Sequence, residues 1–348
     1  MPKIIYIPLE NLEQRYTKMM NELLAPLCHV SLYPKEFNER TIKNGQFLDI
    51  TGTCIFKSKQ LTMIAEMFDN GKVNEGDVFL VADIFFPGIE MISYMAELLG
   101  IKVYIYGFNY AGRADKTDFV QKLGRWADFS EAGYHDICDG IFVGSQFHRQ
   151  QVIDHFGGDI GERTRVVGYI WSRDYAMNLF KDEKGKEQTK HDRIIWPHRM
   201  SSEKGIDELL EFAKSTTMEI IITSSGKTEC PIKDLPKNVT YIGGITKKMY
   251  YSYLATSKYY LSTAYQETFG YTLQEAMLFG CEILVPNRAC YPEMVPAANL
   301  YNDIKEIEPK FKQGGLIVTD TKSLQQYDDN REMIMSQIYE DTGCRVSN

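Results

Sequence analysis

No apolar run in this 348-residue chain approaches the roughly 20 residues that a membrane-crossing helix needs. The start, MPKIIYIPLE, has neither the charged lead nor the long apolar core of an export signal, so a soluble, cytoplasmic protein without membrane insertion is expected. The seven cysteines are scattered and never form a C-x2-C pair, and the six histidines never stand as H-x3-H. Zinc frameworks are thereby unsupported, and the cysteines read as buried free thiols. An excess of positive charge is also missing: the net charge is −8, shared between the two halves. Any contact with a polyanion must then come from a local basic patch. Internal repeats and low-complexity segments are absent.

What the chain does contain is alternation. Residues 3–8 form a short β-branched run closed by Pro8, the pattern of a buried first strand. Helical spacing follows over 14–24 and 60–68, then strands over 76–83, 102–106, 137–143 and 165–170, with Ser145 as the cap of a helix after the third of these. Residues 181–190 hold no apolar side chain and read as a hinge or an exposed loop. Beyond them, strands over 193–196, 219–223, 239–242, 259–262 and 282–286 interleave with helices over 205–214, 249–256 and 273–279, and residues 323–339 are again helical in pattern. Strand and helix in alternation with short connections give parallel, doubly wound sheets. A hydrophobic content of 44% is enough for two cores.

The densest chemistry lies in residues 262–292, STAYQETFGYTLQEAMLFGCEILVPNRACYP. Glu267 stands at a strand-to-helix turn and Glu275 eight positions on, in the helix. Two carboxylates so placed can grip two hydroxyl-bearing parts of one ligand. The unpaired N–H groups of the helix start can hold an anionic group between them. A second stretch, residues 194–205, places Arg199 and Lys204 in a strand-loop-helix: Arg suits a planar two-point grip on phosphate, and Lys acts as a movable point charge.

The pattern Glu267-x-Phe269-Gly270-x4-Glu275-Ala276-Met277-x2-Gly280, followed by Pro292-Glu293, resembles the E-x7-E region of retaining glycosyltransferases of the GT-B fold, family 4 in particular. Residues 194–205 resemble the same family's diphosphate-holding loop. The resemblance implies an α/β protein of two Rossmann-like, doubly wound domains facing an interdomain cleft. The first, over 1–170, would bind acceptor, the second, over 171–322, would bind the nucleotide-sugar, and a terminal segment, 323–348, would cross back to the first. It implies that Arg199 and Lys204 hold the diphosphate of a nucleotide-sugar, with a UDP-sugar expected. Glu267 would contact the donor sugar, and Glu275 the ribose. The backbone of Thr268, Phe269, Gly270, Tyr271 and Thr272 would contact the distal phosphate, and Ile242-Gly243 would pass the nucleobase. His198 joins the donor-binding candidates. No metal or other cofactor is expected, in keeping with the absence of an Asp-x-Asp motif. The family's glycine-rich loop after the first strand is missing: Pro8 to Tyr16 stands there, and Arg15 either supplies a charge or lies on a helix surface.

The acceptor side is read from the first half. Asp83, at the end of a strand, faces a ligand crevice or caps the next helix. The polar stretch 107–118 is the candidate acceptor loop: Phe108 and Tyr110 offer stacking faces, and Asn109, Arg113, Asp115 and Lys116 offer polar contacts. His148 reads as a surface helix residue. Stretches around residues 6–10, 15–17 and 86–90 resemble glycosyltransferases of bacteriophages, which implies a 5-hydroxymethylated pyrimidine of phage DNA as acceptor and the host cytoplasm as location. Arg113, Lys116, Lys122, Arg125 and Arg149 would form the basic rim that DNA requires, and the target base would leave its stack. A glycan, lipid-linked or small-molecule acceptor stays open. So do another GT-B enzyme, such as an epimerase or inverting transferase, and a non-catalytic sugar-nucleotide-binding module.

Overall fold

The computed structural model describes residues 2–10, 16–34, 48–50, 52–181, 189–226, 228–317 and 330–344. Arg15, most of the charged run 181–190, and residues 323–329 of the expected terminal helix lie outside them. The chain divides into two compact units, Met1–Ile170 with Asn330–Asn348, and Trp171–Asp329.

Each unit is built on a six-stranded parallel sheet. In the first, β1 (Ile4–Ile7), β2 (Val30–Ser31), β3 (Val78–Val81), β4 (Tyr104–Phe108), β5 (Gly140–Val143) and β6 (Thr164–Val166) run in the order 2-1-3-4-5-6. In the second, β7 (His191–Trp196), β8 (Glu219–Thr223), β9 (Val239–Ile242), β10 (Ser257–Leu261), β11 (Glu282–Pro286) and β12 (Leu300–Tyr301) run in the order 12-11-10-7-8-9. The Ile- and Val-rich runs of β1, β3, β5 and β11 are buried throughout, as strands covered by helices on both faces must be. The strand order reverses between β1 and β3 in the first sheet and between β7 and β10 in the second. At such a point neighbouring loops leave in opposite directions and open a crevice at the carboxyl ends of the strands.

Several boundaries differ from those read in the sequence. The second helix runs over Thr53–Asp69, starting well before residue 60, because the Asp49 carboxylate accepts from the N–H groups of Gly52 (2.8 Å) and Thr53 (3.2 Å). β4 reaches Phe108, absorbing the start of the expected loop. A Cβ at Gly107 would lie 2.6 Å from Ile84 Cγ2, so that glycine serves a close approach rather than a flexible loop. The helix over Arg125–Ile137 occupies the start of the strand expected at 137, and β5 begins at Gly140. β6 ends at Val166, short of the expected 170. The two-residue edge strands β2 and β12 carry too little pattern to be read. The last helix spans Arg331–Thr342; its Asp341 accepts from the Tyr106 hydroxyl (2.9 Å), and Asn330 before it donates to the carbonyls of Val167 (2.7 Å) and Tyr169 (3.1 Å).

Lys190 corrects the reading of residues 181–190 as wholly exposed. Its ammonium donates to the carbonyls of Leu254 (3.1 Å), Ser257 (2.9 Å) and Phe279 (2.8 Å), three donors matched to three acceptors from different segments of the second unit. Lys190→Met should therefore cost about 3 kcal/mol, since it strands partly buried carbonyls, as measured by urea denaturation of the intact chain. A loss below about 0.5 kcal/mol would mean that water replaces the ammonium.

A candidate nucleotide-sugar site in the second unit

The two strands that flank the second switch point supply the principal residues. After β7 the chain passes through His198 and Arg199 into a single 3-10 turn, Ser202–Lys204, and then the helix Ile206–Ser215. After β10 it passes through Thr263 and Glu267 into the helix Tyr271–Leu278. Gly205 lets the two segments meet: its φ is +69°, and a Cβ there would lie 2.0 Å from the Thr263 carbonyl oxygen. The Thr263 hydroxyl lies within donating distance of the carbonyls of Lys204 (3.0 Å) and Gly205 (2.8 Å), and it accepts from the Trp196 indole N–H (3.0 Å).

That contact fixes Lys204 against Glu267. The ammonium donates to the Gln266 carbonyl (2.6 Å) and to Glu267 Oε2 (3.3 Å), while Glu267 Oε1 accepts from the Gly270 N–H (3.1 Å). Burial alone would push the Glu267 carboxyl up, but Lys204 and the Gly270 N–H outweigh it and hold it below its ordinary value. Gly270 adopts φ +79°, so the chain turns sharply into the helix, whose first-turn N–H groups have no partners within the helix itself. Phe269 is buried beside Tyr271 (ring centroids 5.2 Å apart), Thr268 is buried, and the Thr272 hydroxyl meets that of Tyr260 at 2.9 Å.

Arg199 is held differently. Its side chain is 61% exposed and, among the described residues, pairs with Glu203 alone (3.2 Å), a partly exposed contact that is cheap to give up. His198, by contrast, is buried, its ring 5.1 Å from that of Trp196, and burial reinforced by Lys204 lowers its pKa to about 3. The ring is neutral at physiological pH, with its Nε2 unpartnered among the described residues. It can make a hydrogen bond there but contributes no charge.

Glu275 is deeply buried. Its Oε1 takes the Tyr251 hydroxyl (3.0 Å) and the Lys247 ammonium (2.5 Å), while Oε2 has no partner among the described residues. Lys247 and Tyr251 come from the helix Lys247–Thr256, and no local pattern in the sequence ties them to Glu275. The sequence reading missed both. Ile242 ends β9, an edge strand two places from β7, and Gly243 follows it; the Ile242 carbonyl is taken by the Ser224 N–H (3.0 Å). No described hydrogen bond or ion pair joins Ile242 or Gly243 to Lys204 or Glu267.

In the first unit the candidate acceptor loop is largely interior, a correction with a packing cause. Phe108 is fully buried within β4 and offers no stacking face. Asn109 is buried with its amide against His135 Nε2 (3.0 Å), and Tyr110 packs between Tyr16 and Tyr169. Arg113 forms an ion pair with Asp128 and donates to Gln121 Oε1 (2.8 Å); Asp115 accepts from the N–H and hydroxyl of Thr117. Arg149 donates to the carbonyls of Gly161 and Thr164. Only Lys116, Lys122 and Arg125 of the expected basic rim are exposed. His148 is buried and bonded through Nδ1 to the Tyr169 hydroxyl (3.0 Å), not a surface residue. Asp83 does lie beyond the end of β3, its Oδ1 accepting from the Phe85 N–H (2.9 Å).

Residues 178–301 match the family model described as "Glycosyl transferases group 1". A tRNA-queuosine alpha-mannosyltransferase of Drosophila melanogaster is 29% identical over 128 residues, which cover 34% of this chain and 34% of that protein. The chain thus spans about a third of that relative's length. Among solved structures, Anabaena HepE in complex with UDP-glucose shares the fold at a TM-score of 0.64, with 14% identity over 98% of this chain and 99% of that one. Sucrose-phosphate synthase from Thermosynechococcus elongatus does so at 0.58, with 14% identity over 97% and 96%. The two six-stranded parallel-sheet units are those of the GT-B fold. The family match lies within the second unit, and both units share the fold of these solved structures. No helix among the described residues is long and apolar enough to cross a membrane.

Two measurements test this geometry. Gly205→Ala should destabilise the protein by about 3 kcal/mol or more in urea denaturation, since positive φ and a backbone clash add. The stability that Glu267 supplies is fully present above the unfolded carboxyl's ordinary pKa and is lost as pH falls through the lower folded value. The stability difference between wild type and Glu267→Gln should accordingly be largest near neutrality and shrink below about pH 4. A difference independent of pH would show that the carboxylate's charge is not what Lys204 stabilises.

Proposed function

We propose that the protein is a retaining glycosyltransferase that takes a sugar from a nucleotide-sugar, a UDP-sugar in the first instance, and joins it to a hydroxyl on a modified nucleobase. The observation that carries the donor half is the contact of Lys204 with Glu267 across the ends of β7 and β10, with exposed Arg199 beside it. Lys204 and Arg199 would neutralise charge growing on the departing diphosphate, and Glu267 would hold hydroxyls of the donor sugar. The unpartnered Oε2 of Glu275 would accept from the ribose. In the transfer the acceptor oxygen bonds to the anomeric carbon as the bond to the diphosphate oxygen breaks. The acceptor's proton passes to that leaving oxygen on the same face, so no protein nucleophile is needed. The UDP-glucose bound by HepE supports the choice of UDP.

A 5-hydroxymethylated pyrimidine in DNA is the first-choice acceptor, on the resemblance of the N-terminal stretches. The tRNA-queuosine transferase favours a second reading, a modified nucleoside in tRNA. Both present a hydroxyl on an altered base. The test is mass spectrometry of nucleosides from hydroxymethylcytosine DNA, hydroxymethyluracil DNA and tRNA, after incubation with a panel of hexose and pentose nucleotide-sugars. A sugar-sized mass gain should appear in one of them, be abolished in Glu267→Ala, and fall about 100-fold in rate in Lys204→Ala. UDP binding by calorimetry without any gain would move the acceptor to a glycan, lipid-linked group or small molecule. Failure to bind any nucleotide-sugar would overturn the proposal.

A further inference from the structure

The first unit has a switch point of its own, between β1 and β3, and charged side chains gather there. Glu10 follows β1 and Asp83 follows β3. Lys57 joins them from the helix Thr53–Asp69, at a position where its neighbours on the same face, Phe56, Gln60, Ile64 and Phe68, are all buried. The helical pattern calls for an apolar residue at 57, and a lysine in such a place is rare unless paired. Lys57 is only 4% exposed, yet its ammonium has no hydrogen bond or ion pair among the described residues; it lies over the Phe86 ring, 5.2 Å from Nζ to centroid. Glu10 is equally buried. Its Oε1 accepts from the Thr53 hydroxyl (3.2 Å), and its Oε2 has no partner among the described residues. Lys57, Glu10 and Asp83 nevertheless feel one another electrostatically, so they share one neighbourhood without closing on each other.

Burial without mutual pairing is costly for a merely structural triad, which would gain by closing its ion pairs. We propose that Glu10, Lys57 and Asp83 form a polyol-binding subsite at the β1–β3 switch point. Hydroxyls of a neutral sugar-like or diol group donate to the two carboxylates, and one hydroxyl oxygen accepts from the Lys57 ammonium. Two carboxylates against one ammonium leave the cluster negative. A phosphate is repelled there, so only the uncharged, hydroxyl-bearing part of an acceptor enters. Burial raises the Asp83 carboxyl to about 6, against the pull of Lys57 and the Phe85 N–H, so the carboxylate remains the main form at pH 7. The subsite itself stands on the first unit alone; calling its ligand the acceptor rests on the glycosyltransferase reading above.

The experiment is saturation-transfer NMR on the full chain with methyl glucoside, myo-inositol, glucosamine and inorganic phosphate as separate probes. Wild type should give transfer to methyl glucoside or myo-inositol and none to phosphate. Lys57→Met and Glu10→Gln, both close in shape to the native side chains, should each weaken that transfer about tenfold. UDP binding by calorimetry, which reads the second unit, should stay unchanged in both variants, and urea denaturation of the full chain reports whether their first unit is folded. Should one variant fail to fold, the other carries the test. Transfer to glucosamine alone would overturn the neutral-polyol assignment in favour of an amine. Transfer equal in wild type and variants, transfer to phosphate, or no transfer to any neutral polyol would overturn the subsite. Loss of UDP binding in wild type would sink the donor reading while leaving these NMR outcomes to judge the subsite separately.

Discussion

The candidate donor site depends on β7 and β10 being neighbours in the second sheet although a full βαβ series separates them in the chain. Only that adjacency brings the loop carrying Lys204 onto the loop carrying Glu267. The contact is made tight by a position without a side chain, Gly205 under the Thr263 carbonyl, and by the Thr263 hydroxyl that ties both segments to Trp196. A parallel sheet puts all its strand ends on one side, and a reversal in strand order turns that side into a crevice. The chemistry follows from the topology.

Within the site the charges are held in three distinct ways. Lys204 is fixed by a carbonyl and a carboxylate, Arg199 lies exposed on a weak pair, and Glu275 is buried with its own cation, Lys247. A fixed charge is already in place when a diphosphate arrives and needs no reorganisation, whereas an exposed guanidinium gives up little to move onto it. Half-buried Lys247 meets one oxygen of buried Glu275, and the other oxygen has no partner among the described residues. His198 adds a neutral polar atom among these charges, because burial and Lys204 both oppose its protonation.

The second unit was more legible in the sequence than the first, for a reason visible in particular residues. The bounds of β8 and β11 agree with the strands read from their Ile- and Val-rich runs, since a buried strand leaves its hydrophobic signature in consecutive positions, and those of the edge strand β9 agree as well. The stretch 107–118 misled, because glycine, aromatic and polar residues look alike in a binding loop and in a packed one. Gly107 turned out to face Ile84, Phe108 to lie in the core, and Arg113 to be spent on Asp128 and Gln121. Lys190 sat in a run that composition marks as solvent-exposed, yet three carbonyls from distant segments draw it inward.

The sequence by itself determined the α/β class, the alternation that makes two parallel sheets, and the residue types at the ends of β7 and β10, because periodicity and motif spacing are local properties of a chain. Only the tertiary structure decided which charges meet. Lys247 reaching Glu275, Lys57 buried beside Glu10 and Asp83, and His148 withdrawn to Tyr169 all join residues that no local pattern links. Burial and hydrogen-bond partnership are set by what packs around a side chain, and that is fixed by strand order and helix placement rather than by its neighbours in sequence.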